Sequence, residues 1–254
     1  MKIAIWNVNS IKARAEQAAK WLATHKPDAL MIQELKGLEF ESQEFEALGY
    51  HVSFVGQKAY NGVATFTRTP VETILNKLPG DDSDEQARYL EIDYEGVRLI
   101  NIYAPNGNPV DSEKYPYKLD WLERLRLRLA ELRATAVPFV IGGDFNIIPE
   151  DRDCYDPKVW AEDALFRLES RQAFRSIMNL GLTDAFRVYN QQGSQYTFWD
   201  YQAGAWPQNK GIRIDHFMLS PVIADRLVNC TIDKDPRSWD KASDHTPVVL
   251  EIAA

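Results

Sequence analysis

Short apolar runs recur along the chain and alternate with stretches of helical spacing. Lys2 to Trp6, Ala29 to Ile32, Val97 to Tyr103, Val137 to Ile141, Ile212 to Leu219 and Val248 to Ile252 have the length and composition of buried strands. Ile11, Ala15, Ala18 and Leu22 share one helix face, and Pro27 ends that helix. Leu122, Leu125, Leu129 and Leu132 form a second apolar stripe on an arginine-rich helix. Phe174, Ile177 and Met178 line a third, with Gly181 placed to cap it. Strand and helix patterns interleave with no Gly/Ser linker, low-complexity tract or solenoid repeat. One layered α/β domain over residues 1–254 is therefore expected. The acidic run Asp81 to Glu85 is expected to be a solvated loop.

Composition narrows the partner classes. A formal net charge of -8 gives no long-range attraction to nucleic acid, so any DNA contact must come from a local basic patch. The same charge suits a site rich in carboxylates whose negative charge is cancelled by bound cations. Cys154 and Cys230 lie far apart without metal-ligand spacing, which predicts reduced thiols. No run reaches the roughly 18 apolar residues of a membrane span, and MKIAIWNVNS moves straight into a strand pattern. No membrane partner and a cytoplasmic location are the expectations.

The chemistry lies at the strand ends. The first strand runs into Asn7, the second into Gln33-Glu34, and LINIY ends at Tyr103 before Ala104-Pro105-Asn106-Gly107. VPFVI passes through Gly142-Gly143 into Asp144-Phe145-Asn146, and Asp244-His245 precedes the last strand. Arg213 and Asp215 should share a strand face by the period of two. Loops at strand ends of layered α/β folds are where ligands collect. Glu34, Asp144 and Asp244 offer carboxylates, Asn7 and Asn146 amide oxygens, and His245 an imidazole that could donate to a phosphate: parts suited to a hard cation and a phosphate. Singly, each has a bland alternative as turn former, cap or core residue. His25, His51 and His216 are read as structural, and Trp199 and Trp206 as packing residues.

At these positions the sequence resembles the exonuclease III family of the endonuclease/exonuclease/phosphatase superfamily. IAIWNVNSIKAR, LMIQELK, NGVATFTR, LINIYAPNG, GGDFNIIPEDRDCYDP, GLTDAF, YTFWDY, NKGIRIDHFMLS and KASDHTPV occur in the family's order from Ile3 to Val248. The resemblance implies a four-layer α/β sandwich, two packed mixed sheets flanked by helices. It implies Mg²⁺ (or Mn²⁺) and, as partner, double-stranded DNA with abasic sites or blocked 3′ ends. By resemblance the metal set is Asn7, Glu34, Asp144, Asn146, Asp244 and His245. Tyr103, Asp144, Asn146, Asp215 and His245 would be catalytic, with Asp144 activating water and Asp215 orienting His245. Phe198, Ile212 and Ile214 would line a pocket for an extruded abasic sugar. Apart from the resemblance, Lys12, Arg14 and Arg68 are candidate DNA phosphate contacts, with solvated surface charge an equally good reading of each. The chain departs from bacterial relatives at Phe198-Trp199, and at Gln202 and Gly204, where they carry basic residues. The expected function is base-excision repair: abasic-site endonuclease, 3′–5′ exonuclease and 3′-end cleaning by a monomer acting on nucleoid DNA. The rivals are another phosphatase or nonspecific deoxyribonuclease of the superfamily, and a catalytically dead DNA-binding copy. The dead copy is disfavoured because every candidate catalytic residue is present.

Overall fold

The computed structural model describes residues 1–39 and 41–253. Its strands are β1 (Lys2–Asn7), β2 (Ala29–Gln33), β3 (His51–Val55), β4 (Val63–Thr67), β5 (Glu72–Leu75), β6 (Tyr89–Tyr94), β7 (Val97–Tyr103), β8 (Phe139–Asp144), β9 (Thr183–Asp184), β10 (Asp215–Leu219), β11 (Leu227–Ile232) and β12 (Val248–Ile252). The helices are α1 (Ile11–His25), α2 (Gln43–Ala47), α3 (Lys114–Ala134), α4 (Pro157–Trp160), α5 (Leu168–Met178), α6 (Ala185–Tyr189) and α7 (Pro221–Ala224). Two six-stranded sheets run in the orders β11-β12-β1-β2-β4-β3 and β5-β6-β7-β8-β10-β9. Each is mixed: β1 and β2 are parallel in one, β7 and β8 in the other, and their other pairings are antiparallel.

Period-two alternation splits each central strand between two cores. Ile3, Ile5, Ala29 and Met31 meet Leu90, Ile92, Leu99, Val140 and Phe217 between the sheets. Ala4, Trp6, Leu30 and Ile32 turn outward onto Ile11, Ala18 and Leu22 of α1 and Phe45 of α2. Ile100, Ile102, Phe139 and Ile141 turn the other way onto Leu122, Leu125 and Leu129 of α3 and Phe174 and Ile177 of α5. The result is helix, sheet, sheet, helix, the four-layer sandwich expected from the family resemblance. Strands buried on both faces read as continuous apolar runs, which is why they were visible in the sequence. The edge strands β3, β5 and β11 are exposed or half-buried at nearly every position and have no such pattern. No helix among the described residues is long and apolar enough to cross a membrane.

Three expectations need correction. The expected strand at Val137 begins at Phe139, because Pro138 cannot donate to a ladder, and continues to Asp144. The expected strand at Ile212 pairs regularly only from Asp215; Ile212 makes isolated bridges to Cys154 and Phe198. Between them Arg213 is drawn into bonds with Asp153 and Asp184, so it does not work beside Asp215. Finally, the acidic run is not uniformly solvated. Asp84 is half-buried with its carboxylate turned onto α3, accepting from Arg124 at 2.6 Å and from the Tyr117 hydroxyl.

Candidate active site at the shared rim of the two sheets

β1 and β2 run parallel, as do β7 and β8, so Asn7, Gln33-Glu34, Tyr103 and Asp144 leave their sheets at the same rim. The sheets are tied together there by a buried polar contact: the Gln33 amide donates to Asn101 Oδ1 at 2.8 Å, and Asn101 donates to the Ala64 carbonyl. Close approach at β8 requires glycine. Gly143 has φ +141, and a Cβ there would lie 2.0 Å from the Ile102 carbonyl oxygen. Antiparallel pairing sets Asp215 opposite Asp144. The Asp244-His245 turn docks on β1 through Ser243 Oγ, which donates to the Asn7 carbonyl at 2.7 Å.

These elements converge on a cavity of about 240 Å³. Glu34, Asp144 and His245 each offer a ligand atom there, and those atoms lie within 4.8 Å of one another. His245 Nδ1 is 2.9 Å from Asp215 Oδ2, and Nε2 is 3.7 Å from Asp144 Oδ2. Asn7 bridges the two carboxylates: Nδ2 donates to Glu34 Oε1 at 2.8 Å and to Asp144 Oδ2 at 3.0 Å. Its Oδ1 accepts from the Asn9 backbone, so Asn7 turns its nitrogen, not its oxygen, toward the cluster. Asn146 is also fully engaged. Its backbone N–H caps Asp144 Oδ1, its amide donates to the Ala104 carbonyl, and its Oδ1 accepts from Asn106. Both amides hold other groups in place. Asp244 reaches the same cavity and accepts from Asn9. Glu34 and Asn146 are non-glycine residues in the left-handed region, at φ 58 and φ 50, a conformation that recurs at functional sites.

The electrostatics follow from this crowding. Burial would raise Glu34, but the Lys36 ammonium at 2.9 Å and the Asn7 bond hold it below the usual carboxylate range. Burial pushes Asp144 up, helped by the Asp215 and Glu34 charges and opposed by His245. Burial works against a charged His245, yet the Asp215 and Asp144 carboxylates override it and push the imidazole up. Tyr103 is driven well above its usual range by burial and by Glu34 and Asp144, so it is a neutral phenol, bonded to Glu34. The residues fit a hard divalent cation. Burial is the main cause of the rise at Asp144 and the Asp215 and Glu34 charges add to it, so a cation there would relieve both, and the donors are mainly oxygens.

The other expected residues divide. Phe198, Ile212 and Ile214 form an apolar side of the cavity, and the Phe198 ring packs edge-on to His245 at 5.0 Å. Trp160, Leu165, Asp163, Asp200, Asn106 and Asn108 also line it, and sequence reasoning singled out none of them individually. Asn106 and Asp200 fall inside matching stretches, whereas Asn108, Trp160, Asp163 and Leu165 lie outside all of them and carried no such signal. Lys12 is exposed in the first turn of α1, apart from this cavity. Arg14 is spent internally, donating to the Asn9, Lys241 and Ala242 carbonyls and to the Tyr201 hydroxyl. Arg68 stacks on Tyr50 and donates to the Leu48 carbonyl. His216 follows Asp215 in the chain and has acidic neighbours in space as well: it bonds Arg213 beside Asp153 and Asp184. Trp199 is fully buried against Trp206.

Residues 4–245 match the endonuclease/exonuclease/phosphatase family. The chain belongs to that family. It is 32% identical to exodeoxyribonuclease III of Haemophilus influenzae, over 99% of both chains. Its structure is similar to that of the 3′ phosphatase NExo from Neisseria bound to product DNA hairpin, with TM-score 0.97, 38% identity and full coverage of both chains. It is likewise similar to an AP endonuclease from Archaeoglobus fulgidus, with TM-score 0.94, 37% identity and full coverage. Family membership makes this protein a hydrolytic nuclease with a divalent-metal requirement.

Proposed function

We propose that this nuclease of the endonuclease/exonuclease/phosphatase family cleaves DNA beside abasic sites and trims blocked 3′ ends in base-excision repair. The observation that carries the proposal is the convergence of Glu34, Asp144 and the Asp215-held His245 on one cavity. Glu34 and Asp144 would hold Mg²⁺ or Mn²⁺, with Asp244 at the same cavity. The bound cation supplies Lewis-acid polarisation of the phosphate and neutralises charge on the leaving oxygen. Asp144, fixed by the Asn146 N–H and the Asn7 amide, takes a proton from water as the water oxygen forms its bond to phosphorus. The bond from phosphorus to the 3′-oxygen breaks and that oxygen takes a proton from solvent, leaving a 3′-hydroxyl and a 5′-phosphate. His245, kept protonated and aimed by Asp215, faces the charge that develops on the phosphoryl oxygens, and the Tyr103 hydroxyl donates nearby.

The cavity supports substrate choice. At about 240 Å³ it falls below the usual range of drug-sized ligand pockets and suits a sugar phosphate better than a whole nucleotide. Phe198, Ile212 and Ile214 give it an apolar wall, and an abasic nucleotide reaches it without unstacking a base. DNA in the cytoplasm, chiefly the nucleoid, is the proposed target, and a monomer the proposed working unit.

The test uses three end-labelled duplexes, one with an abasic analogue, one with a 3′-phosphate and one blunt, incubated with Mg²⁺. Cutting of the first two with little attack on intact duplex is the expected pattern. Asp144→Asn and His245→Ala should each lower turnover by orders of magnitude while DNA binding survives. Unchanged turnover in either variant would remove the assigned roles.

A further inference from the structure

Lys118, in the second turn of α3, has no solvent exposure, and no carboxylate of the described residues lies within ion-pair distance of it. Its ammonium instead gives one N–H to each of three backbone carbonyls: Asn146 at 2.6 Å, Asn106 at 3.0 Å and Ala164 at 3.1 Å. All three donors are thereby used. The three carbonyls belong to separate loops, one after β8, one after β7 and one before α5. Each loop contributes side chains to the wall of the catalytic cavity. Side-chain bonds fasten the same loops to one another. Asn106 donates to Asn146 Oδ1, Asn108 donates to Asp163, and the Ala164 N–H donates to Asn108 Oδ1.

The local sequence is shaped around this lysine. Gly107 has φ +90, and a Cβ there would stand 2.7 Å from Lys118 Cδ. Asn146, whose carbonyl accepts the shortest of the three bonds, is in the left-handed region at φ 50. A buried charge without a counter-ion is a poor device for stability, and an apolar side chain of similar volume is commonly as stable or better. Burial pushes the amine down to about 7, against the pull of Asp163 and Asp144, while three aligned carbonyls favour the ammonium.

We propose that Lys118 is a positioning residue for phosphodiester cleavage: its ammonium locks three loops into one rigid cavity wall and thereby fixes Asn146 beneath Asp144. The inference rests on the nuclease function proposed above. Lys118 does not touch substrate. It acts through Asn146, which caps the general base, and through the Asn106, Asn108 and Asp163 rim.

The test compares wild type with Lys118→Met, which keeps the volume, and Lys118→Gln, which keeps two donors without charge. Near-UV circular dichroism and thermal melts report the fold. Single-turnover cleavage of the abasic duplex with Mg²⁺ reports chemistry, and binding of the same duplex in EDTA reports affinity. The expected result is a folded Lys118→Met whose cleavage rate falls about 10- to 100-fold with little change in DNA affinity, with Lys118→Gln between it and wild type. A lysine that merely supports the fold would move the melting temperature and leave the rate of folded molecules unchanged. An active wild type with undiminished cleavage by Lys118→Met overturns the inference alone. Failure of both variants to fold also overturns it, because Lys118 is then a folding staple. A wild type inert on every duplex defeats the nuclease reading first and this inference with it.

Discussion

Replacing Asp153 by Asn tests whether the buried ion cluster beneath the apolar cavity wall is held together by charge. Asp153 is fully buried and accepts from Arg213 Nε at 2.6 Å and Nη2 at 3.3 Å, and from Arg187. Arg213 is buried too and also pairs with Asp184 at 2.9 Å. Two guanidinium groups and two carboxylates therefore balance. Asn keeps the shape and can accept one hydrogen bond, but it leaves the cluster one positive charge in excess. At an effective dielectric near 20, one carboxylate facing two guanidinium groups at about 4 Å gains roughly 8 kcal/mol. The retained hydrogen bond and the lower desolvation cost of a neutral amide return part of that, leaving a loss of about 3–5 kcal/mol, the range for one-sided breakage of buried pairs. For a chain of this size that corresponds to a melting temperature lower by about 10 °C.

Urea unfolding followed by near-UV circular dichroism measures this directly. The midpoint should fall with the slope unchanged, since the folded and unfolded surfaces are the same. The pH dependence supplies a second check. Burial would raise the Asp153 carboxyl, but Arg213 and Arg187 hold it below its ordinary value. Its contribution is therefore complete above the unfolded carboxylate range and is lost as pH falls through the depressed folded value. Asp153→Asn should lose that acid limb. A variant less than about 1 kcal/mol weaker, or an acid limb that survives, refutes the charge balance between Asp153, Asp184, Arg187 and Arg213.

Other outcomes follow from the same structure. His216, buried between Arg213 and the Ile147 carbonyl, is lowered to about 4 by burial and by the Arg213 charge. The unfolded imidazole takes a proton near pH 6.5, so stability is full above that pH. Up to about 3 kcal/mol of it is lost between pH 6.5 and 4, and His216→Gln should flatten that segment of the stability profile. Chelation with EDTA should abolish cleavage. Mg²⁺ at about 100 times its dissociation constant should raise stability by about 2.7 kcal/mol in thermal melts, and cleavage that persists in EDTA would remove metal from the site. Tyr103→Phe deletes the hydroxyl bonded to Glu34 and should slow single-turnover cleavage about 10- to 100-fold with little change in melting temperature.

The central strands were legible because burial on both faces leaves a continuous apolar run, and their ends displayed Asn7, Glu34, Tyr103 and Asp144 in plain sequence. That these ends meet at one rim follows from two parallel pairings, which the order of elements suggests but spacing alone does not fix. The roles of individual amides were not legible. Asn7 and Asn146 read as sources of amide oxygens, whereas their three-dimensional neighbours turn the Asn7 side-chain nitrogen and the Asn146 backbone N–H toward the carboxylates. Arg213 and Asp215 show the same limit. Two residues apart in an apolar run implies a shared face, but Asp153 and Asp184, 60 and 29 positions away, draw the arginine out of the ladder.

The distribution of arginines bears on how an acidic nuclease holds a polyanion. Arg14, Arg68, Arg124, Arg128, Arg187 and Arg213 all spend their guanidinium groups on internal carbonyls, carboxylates or rings. These charges organise the fold and are not free to track phosphates. With a net charge of -8 besides, attraction from a distance is weak, and in the proposed function the positive centre facing a scissile phosphate would be assembled locally from His245 and a cation held by Glu34 and Asp144. Such a layout favours recognition of a particular phosphate over general affinity for duplex DNA. The backbone is gripped hardest where it can be distorted into the cavity, which an abasic nucleotide permits at the lowest unstacking cost.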